Sequence, residues 1–182
     1  MPFRKRVRRE AGATLVEVLV SVLILSFGML ALSGMMAFAV QMPKLSGYRA
    51  TAANIASSHV EKIRANPQAF RDGEYSTATS YDGTFNEIAA QPCYFPNCSA
   101  ALLALMDDAA TKRAARVELP AGGVLTSCES NPCTEHSMGN IWVMWQEPDA
   151  RSVIDSGTSD NCPPSVISGN RRPRCLYVRF KP

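Results

Sequence analysis

Arg8-Arg9-Glu10-Ala11-Gly12-Ala13-Thr14-Leu15-Val16-Glu17-Val18-Leu19-Val20 is the stretch on which the fold turns. A basic leader meets a glycine, and a long apolar run follows that holds one acid, Glu17. Residues 18–40 carry no charge at all, a run of 23. At ~1.5 Å per residue, a helix of that length exceeds the ~30 Å hydrocarbon core of a bilayer. An isolated carboxylate there costs at least ~2.5 kcal/mol. A chain that keeps Glu17 in such a segment therefore needs a partner for it.

Working outward, the leader holds Arg4, Lys5, Arg6, Arg8 and Arg9 beside Glu10. The whole 182-residue chain is +3, and without residues 1–12, which are +4, the remainder is −1. The body has no basic excess, so nothing in its charge argues for nucleic-acid binding. Arg171-Arg172-Pro173-Arg174 reads as a solvated loop. Five cations before the apolar run, against Lys44 and Arg49 after it, predict a cytoplasmic N-terminus and an inner-membrane anchor. The rest of the chain is then periplasmic. A cleavage site of an ordinary secretory signal follows its apolar segment. Here the natural cut, Gly12–Ala13, precedes it. That cut leaves a free amine on Ala13, one helical turn from Glu17, able to meet this acid or the acid of a neighbouring helix. Neutralisation in low dielectric offsets much of the desolvation cost.

Six cysteines follow: Cys93, Cys98, Cys128, Cys133, Cys162 and Cys175. An even count in an exported domain reads as disulfides. Zinc is the rival, because Cys93/Cys98 and Cys128/Cys133 have ligand-like spacing and His136 is near. Of the 15 possible pairings, the sequential one is preferred: Cys93–Cys98, Cys128–Cys133, Cys162–Cys175.

Patterning predicts the rest. Gly28 and Gly34 weaken the apolar helix, and Pro43 predicts a kink or short break. Leu45, Tyr48, Ala52, Ile55, Ala56, Val60 and Ile63 form an amphipathic stripe over 44–65, ended by Asn66-Pro67. His59, at the edge of that stripe, reads as packing or surface. Residues 66–114 are loop-rich, with a helix over 100–115 offering Leu102, Leu103, Leu105 and Met106 for packing. Strands are expected at 115–119, 124–128, 140–147 and 175–180, a meander of about four. Residues 148–174 read as a long loop. Trp142 and Trp145 point to opposite faces of their strand, and Asp107-Asp108 reads as a solvated helix face. The fold class is α+β, a long N-terminal helix packed on an antiparallel sheet. Its expected parts are the leader (1–12), a transmembrane or filament-core helix (13–42), the amphipathic half of the helix (43–66) and a disulfide-containing head (67–182).

Nucleotide-binding and hydrolase motifs are missing: no Walker A, GxGxxG, GxSxG or HExxH occurs. No catalytic residue, metal or cofactor is expected, and the chain reads as a non-enzyme.

At Gly12 and Thr14-Leu15-Val16-Glu17-Val18 the chain resembles the type IV prepilins, whose basic leader ends in Gly before T-L-x-E-V. Ala13 departs from the Phe found in most members. Residues 17–28, Arg64-Ala65-Asn66-Pro67, Leu119-Pro120-Ala121-Gly122-Gly123 and Val143-x-Trp145-x-Glu147 resemble minor pilins of that family. The resemblance implies cleavage after Gly12 and N-methylation of Ala13 by a prepilin peptidase, with Glu17 pairing to another pilin's amine. It also implies a pilin head, other minor pilins and the major pilin as partners, and a large tip adhesin. The expected function is a structural part in pilus initiation, supporting twitching motility and adhesion. A type II secretion pseudopilin is the near alternative, and a membrane-anchored periplasmic binding protein or enzyme the distant one.

Overall fold

A computed structural model describes residues 12–94, 96–147, 160–167 and 173–182. The chain divides between Lys44 and Leu45 into two compact units, each described by itself.

The first unit holds most of one continuous helix, α1 (Leu15–Ala65), in which Pro43 is internal. The expected break at Pro43 is therefore corrected. Proline removes one backbone donor, and the helical ladder resumes on both sides of that single missing bond. Large side chains from Leu15 to Met42 stay exposed, Leu15 at 76% and Met36 at 75%. The most apolar 18-residue window has a mean hydropathy of 2.5, none of it buried within the protein. The helix is long and apolar enough to cross a membrane. Ser21, Ser26 and Ser33 turn their hydroxyls back onto the carbonyls of Val18, Val22 and Met29 at 2.7–2.8 Å. Their polarity is thereby satisfied within the helix.

The second unit is built on the remainder of α1. Ala52, Ile55, Ala56, Val60 and Ile63 are buried as one stripe, as their three- and four-residue spacing predicts. Asn66 and Pro67 end the helix and start a short α2 (Pro67–Arg71). The Asn66 side-chain amide donates to Ala100 O at 2.8 Å, tying this corner to α3 (Ala100–Glu118). Ser99 caps α3 by accepting from the N–H of Leu102.

The bounds of α3 overturn two expectations. Residues 115–118 are helical, not a strand, because Ala104, Asp108, Thr111, Ala115 and Leu119 make one buried stripe at helical spacing. Of the side chains expected to pack, Leu103 and Met106 are half-buried, while Leu102 and Leu105 remain 46% and 42% exposed. Small residues on the inner face bring α3 close to α2 and β1.

Three strands make the sheet among the described residues, one fewer than expected. They are β1 (Gly123–Cys128), β2 (Gly139–Trp145) and β3 (Arg174–Phe180), antiparallel in that order, with β2 central. Register runs Leu125↔Trp142↔Tyr177 on one face and Thr126↔Ile141↔Val178 on the other. The second face joins Ile141, Val143 and Trp145 to the α1 stripe, Phe70 and Tyr75 in the main core. Burial of side chains this large stabilises by roughly 1.5–3 kcal/mol each. Gly139 is required here, since a Cβ would meet the Phe180 ring at 2.2 Å. On the opposite face Met144, Val166 and Cys175 pack with Trp142, Leu125 and Tyr81. The two tryptophans thus lie on opposite faces, as their spacing predicts. A short α4 (Pro164–Ile167) lies inside the segment expected to be loop. Arg171 and Arg172 lie outside the described residues.

Candidate functional site

The candidate site begins at the start of α1. Gly12, Ala13 and Thr14 are non-helical and exposed, and space around Gly12 is open. The helix begins because Thr14 and Glu17 cap it reciprocally. The Thr14 N–H donates to Glu17 Oε2 at 3.4 Å, and the Glu17 N–H donates to Thr14 Oγ1 at 3.4 Å. Thr14 O also accepts from the N–H groups of Glu17 and Val18, at 3.0 and 3.2 Å. This is a capping box, Thr-x-x-Glu. Sequence reasoning missed it, although the four-residue spacing was there to read. The carboxylate gains from the helix macrodipole as well. Glu17 therefore has a local partner before any cut, Thr14, the residue next to Ala13.

The cysteines come together as Cys93–Cys98, Cys128–Cys133 and Cys162–Cys175, with Cα–Cα distances of 5.5, 6.0 and 5.3 Å. The second loop extends β1 and packs against the core. The third bonds the short segment 160–167 to β3. Arg174 reinforces it by donating to Glu147 Oε2 and Asp160 Oδ2, both at 3.1 Å. Although burial disfavours its charge, these two carboxylates hold the Arg174 pKa above its usual value. Among the described residues, no group of three or more His, Cys, Asp or Glu side chains could hold a metal ion.

Inside the head lies a set of polar groups that hold one another. His59 is fully buried. Its Nε2 pairs with Thr126 Oγ1 at 3.1 Å, and its Nδ1 with Thr111 Oγ1 at 2.9 Å. Burial, then the positive charges of Lys62 and Lys112, lower its pKa to about 4. Asp108 is buried as well, correcting the solvated reading: Oδ2 takes Lys112 Nζ at 2.8 Å and the Thr77 hydroxyl at 3.1 Å. The Tyr75 hydroxyl donates to Asp107 at 3.1 Å, and burial with that carboxylate pushes the phenol pKa up. Arg116, 8% exposed, spans from α3 to two loops. Its Nε donates to Gly122 O at 2.9 Å, Nη2 to Ser80 O at 2.6 Å, and Nη1 to Asp82 Oδ1 at 3.0 Å. Burial raises the Asp82 pKa, but Thr84 and Arg116 outweigh it and hold the carboxyl below its usual value. Gly122 is needed at this turn, since a Cβ would meet Ala115 O at 1.9 Å. These groups serve the fold: each satisfies or staples another.

Residues 7–33 match the family described as the prokaryotic N-terminal methylation motif. No curated protein matches the chain, and no solved structure matches it. The motif, the apolar helix behind it and the α+β head indicate a type IV pilin-like protein, a class that includes the pseudopilins. Proteins of this class are typically structural. The motif implies processing by prepilin peptidase and assembly with other pilins, and the apolar helix fits a membrane anchor.

Proposed function

We propose that the chain is a minor type IV pilin of the PilV (type IV pilus modification protein) kind. Prepilin peptidase cuts it after Gly12 and methylates Ala13. Before assembly the chain sits in the inner membrane with its head in the periplasm, and then it enters the pilus. With other minor pilins, the major pilin and a tip adhesin it initiates the filament, which supports twitching motility and adhesion. The observation that carries this reading is Glu17, a capped acid one helical turn from Gly12–Ala13, at the start of an apolar segment whose most apolar 18 residues are unburied among the described residues. In a filament or bilayer that surface is covered, and Glu17 exchanges the Thr14 N–H for a pilin's terminal amine. A carboxylate–ammonium pair in low dielectric is stronger than its cap.

N-terminal analysis of membrane-extracted protein tests the processing: an N-methylated Ala13 is expected, and a retained Met1 overturns the reading. Deletion of the gene is expected to abolish piliation while exoenzyme secretion continues. Lost secretion with intact pili selects the pseudopilin instead.

A further inference from the structure

The two edges of the sheet are treated differently. At β1 the edge is closed by chain: Val124 O accepts from the Ser80 N–H at 3.1 Å, and the Val124 N–H donates to Ser80 Oγ at 2.9 Å. At β3, residues Cys175 to Phe180 pair, among the described residues, with β2. Alternate residues of an edge strand turn both N–H and C=O outward. Among the described residues nothing bonds those groups between Cys175 and Phe180. Open edges are usually blunted by bulges, prolines, covering chain or inward charges. Along its six residues this one carries the single charge of Arg179 and no proline, and among the described residues no chain covers it.

A groove of about 340 Å³ runs beside that edge, between β3 and the C-terminal part of α1. Val60, Val178 and Phe180 are its apolar floor. Val60 and Phe180 are 6% and 5% exposed, so the floor is part of the core reaching the surface. Side chains of a strand alternate between faces, so a strand added to β3 would turn every second side chain onto this floor. The others would lie on the opposite face, beside Arg179. Arg179 is half exposed and held by Glu129 at 2.7 Å. Lys181, two residues on, is exposed and has no ion-pair partner among the described residues.

We infer that this cleft is a docking groove for an extended, alternately apolar and acidic segment of a partner protein, which adds a fourth strand to the sheet. Backbone pairing along β3 supplies affinity, the floor selects apolar side chains, and Arg179 with Lys181 selects acids. The inference rests on the head alone and stands whether or not the chain enters a pilus.

The test uses the full chain in detergent micelles and a capped octapeptide of alternating valine and aspartate. Hydrogen exchange at Cys175–Phe180 is read with and without millimolar peptide, beside a valine–lysine peptide. The expected result is fast exchange at the outward amides of β3, slowed by the aspartate peptide. The lysine peptide is expected to bind at least tenfold more weakly. The double variant Arg179→Glu, Lys181→Glu, shown by circular dichroism to remain folded, should reverse that preference. Slow exchange without peptide overturns the inference, since the chain then covers its own edge. Slowing that follows protein concentration assigns the groove to a second copy and overturns it too. So does equal binding of both peptides, or no effect of either.

Discussion

Thr14 and Glu17 hold each other at the start of the apolar helix, each side chain accepting the other's backbone N–H at 3.4 Å. Glu17 thus does two jobs that one substitution can separate. Glutamine keeps an acceptor at the third helical position, so Glu17→Gln preserves the cap and removes the charge; Glu17→Val removes both. Both variants are expected to be cleaved normally and to be lost from filaments alike, read by immunoblot of sheared pili. Wild-type incorporation of Glu17→Gln, with failure of Glu17→Val, would assign the role to capping and remove the charge pair.

Thr14→Ala tests the other half. Losing an N-cap costs about 1 kcal/mol, here confined to the first turn. Incorporation is expected to fall less than for Glu17→Gln, while hydrogen exchange at residues 15–18 in micelles rises. Unchanged exchange there would show that the cap does not hold the turn.

The buried His59 makes stability depend on pH. Its folded pKa lies near 4, against 6.5 in a free chain. The unfolded chain therefore binds a proton first as pH falls. Stability from the neutral imidazole is complete above pH 6.5 and drains away between pH 6.5 and about 4, by roughly 3 kcal/mol at most. Below that it is flat for this group. Urea unfolding of the head followed from pH 8 to pH 4 is expected to show this loss. A flat profile would refute the buried neutral state.

Arg116 staples α3 to residues 80–84 and to the turn at Gly122. Arg116→Met takes the donor from five acceptor atoms, on Gly122, Ser80, Asp82 and Thr84, and is expected to cost roughly 3 kcal/mol in urea unfolding. Arg116→Lys should recover little, because a point donor cannot span the fork. Full recovery by lysine would show that charge alone matters.

The disulfides rank by the loop they close, 5 residues for Cys93–Cys98 and 13 for Cys162–Cys175. Loop-closure entropy gives about 2 kcal/mol for the first and about 3 kcal/mol for the second. Paired Cys→Ser variants, compared by thermal unfolding, are expected in that order. Cys162→Ser with Cys175→Ser should also expose Trp142, seen as quenching of its fluorescence by acrylamide.

Much of this molecule was legible as sequence. Patterns of local origin carried through: the stripe from Ala52 to Ile63, the stop at Asn66-Pro67, the turn before Gly123, and the alternation that put Trp142 and Trp145 on opposite faces. Reading failed where a short pattern admits two periods. Residues 115–119 alternate like a strand, and only the packing of Ala115 and Leu119 onto the core made them helical. It failed again for polar groups. Asp108 read as a solvated helix face, but Thr77, 31 residues away, reaches it together with its helical neighbour Lys112.

The division has a physical basis. Sequence by itself determined the features that depend on neighbours within a turn of helix: the leader charge, the Gly12–Ala13 junction, the uncharged helix and the position of Glu17. Tertiary structure alone decided which polar side chains are buried, because most of the hydrogen bonds that offset their burial come from distant residues. It also decided how the β1 edge is closed, since Ser80 reaches Val124 across 44 residues of chain.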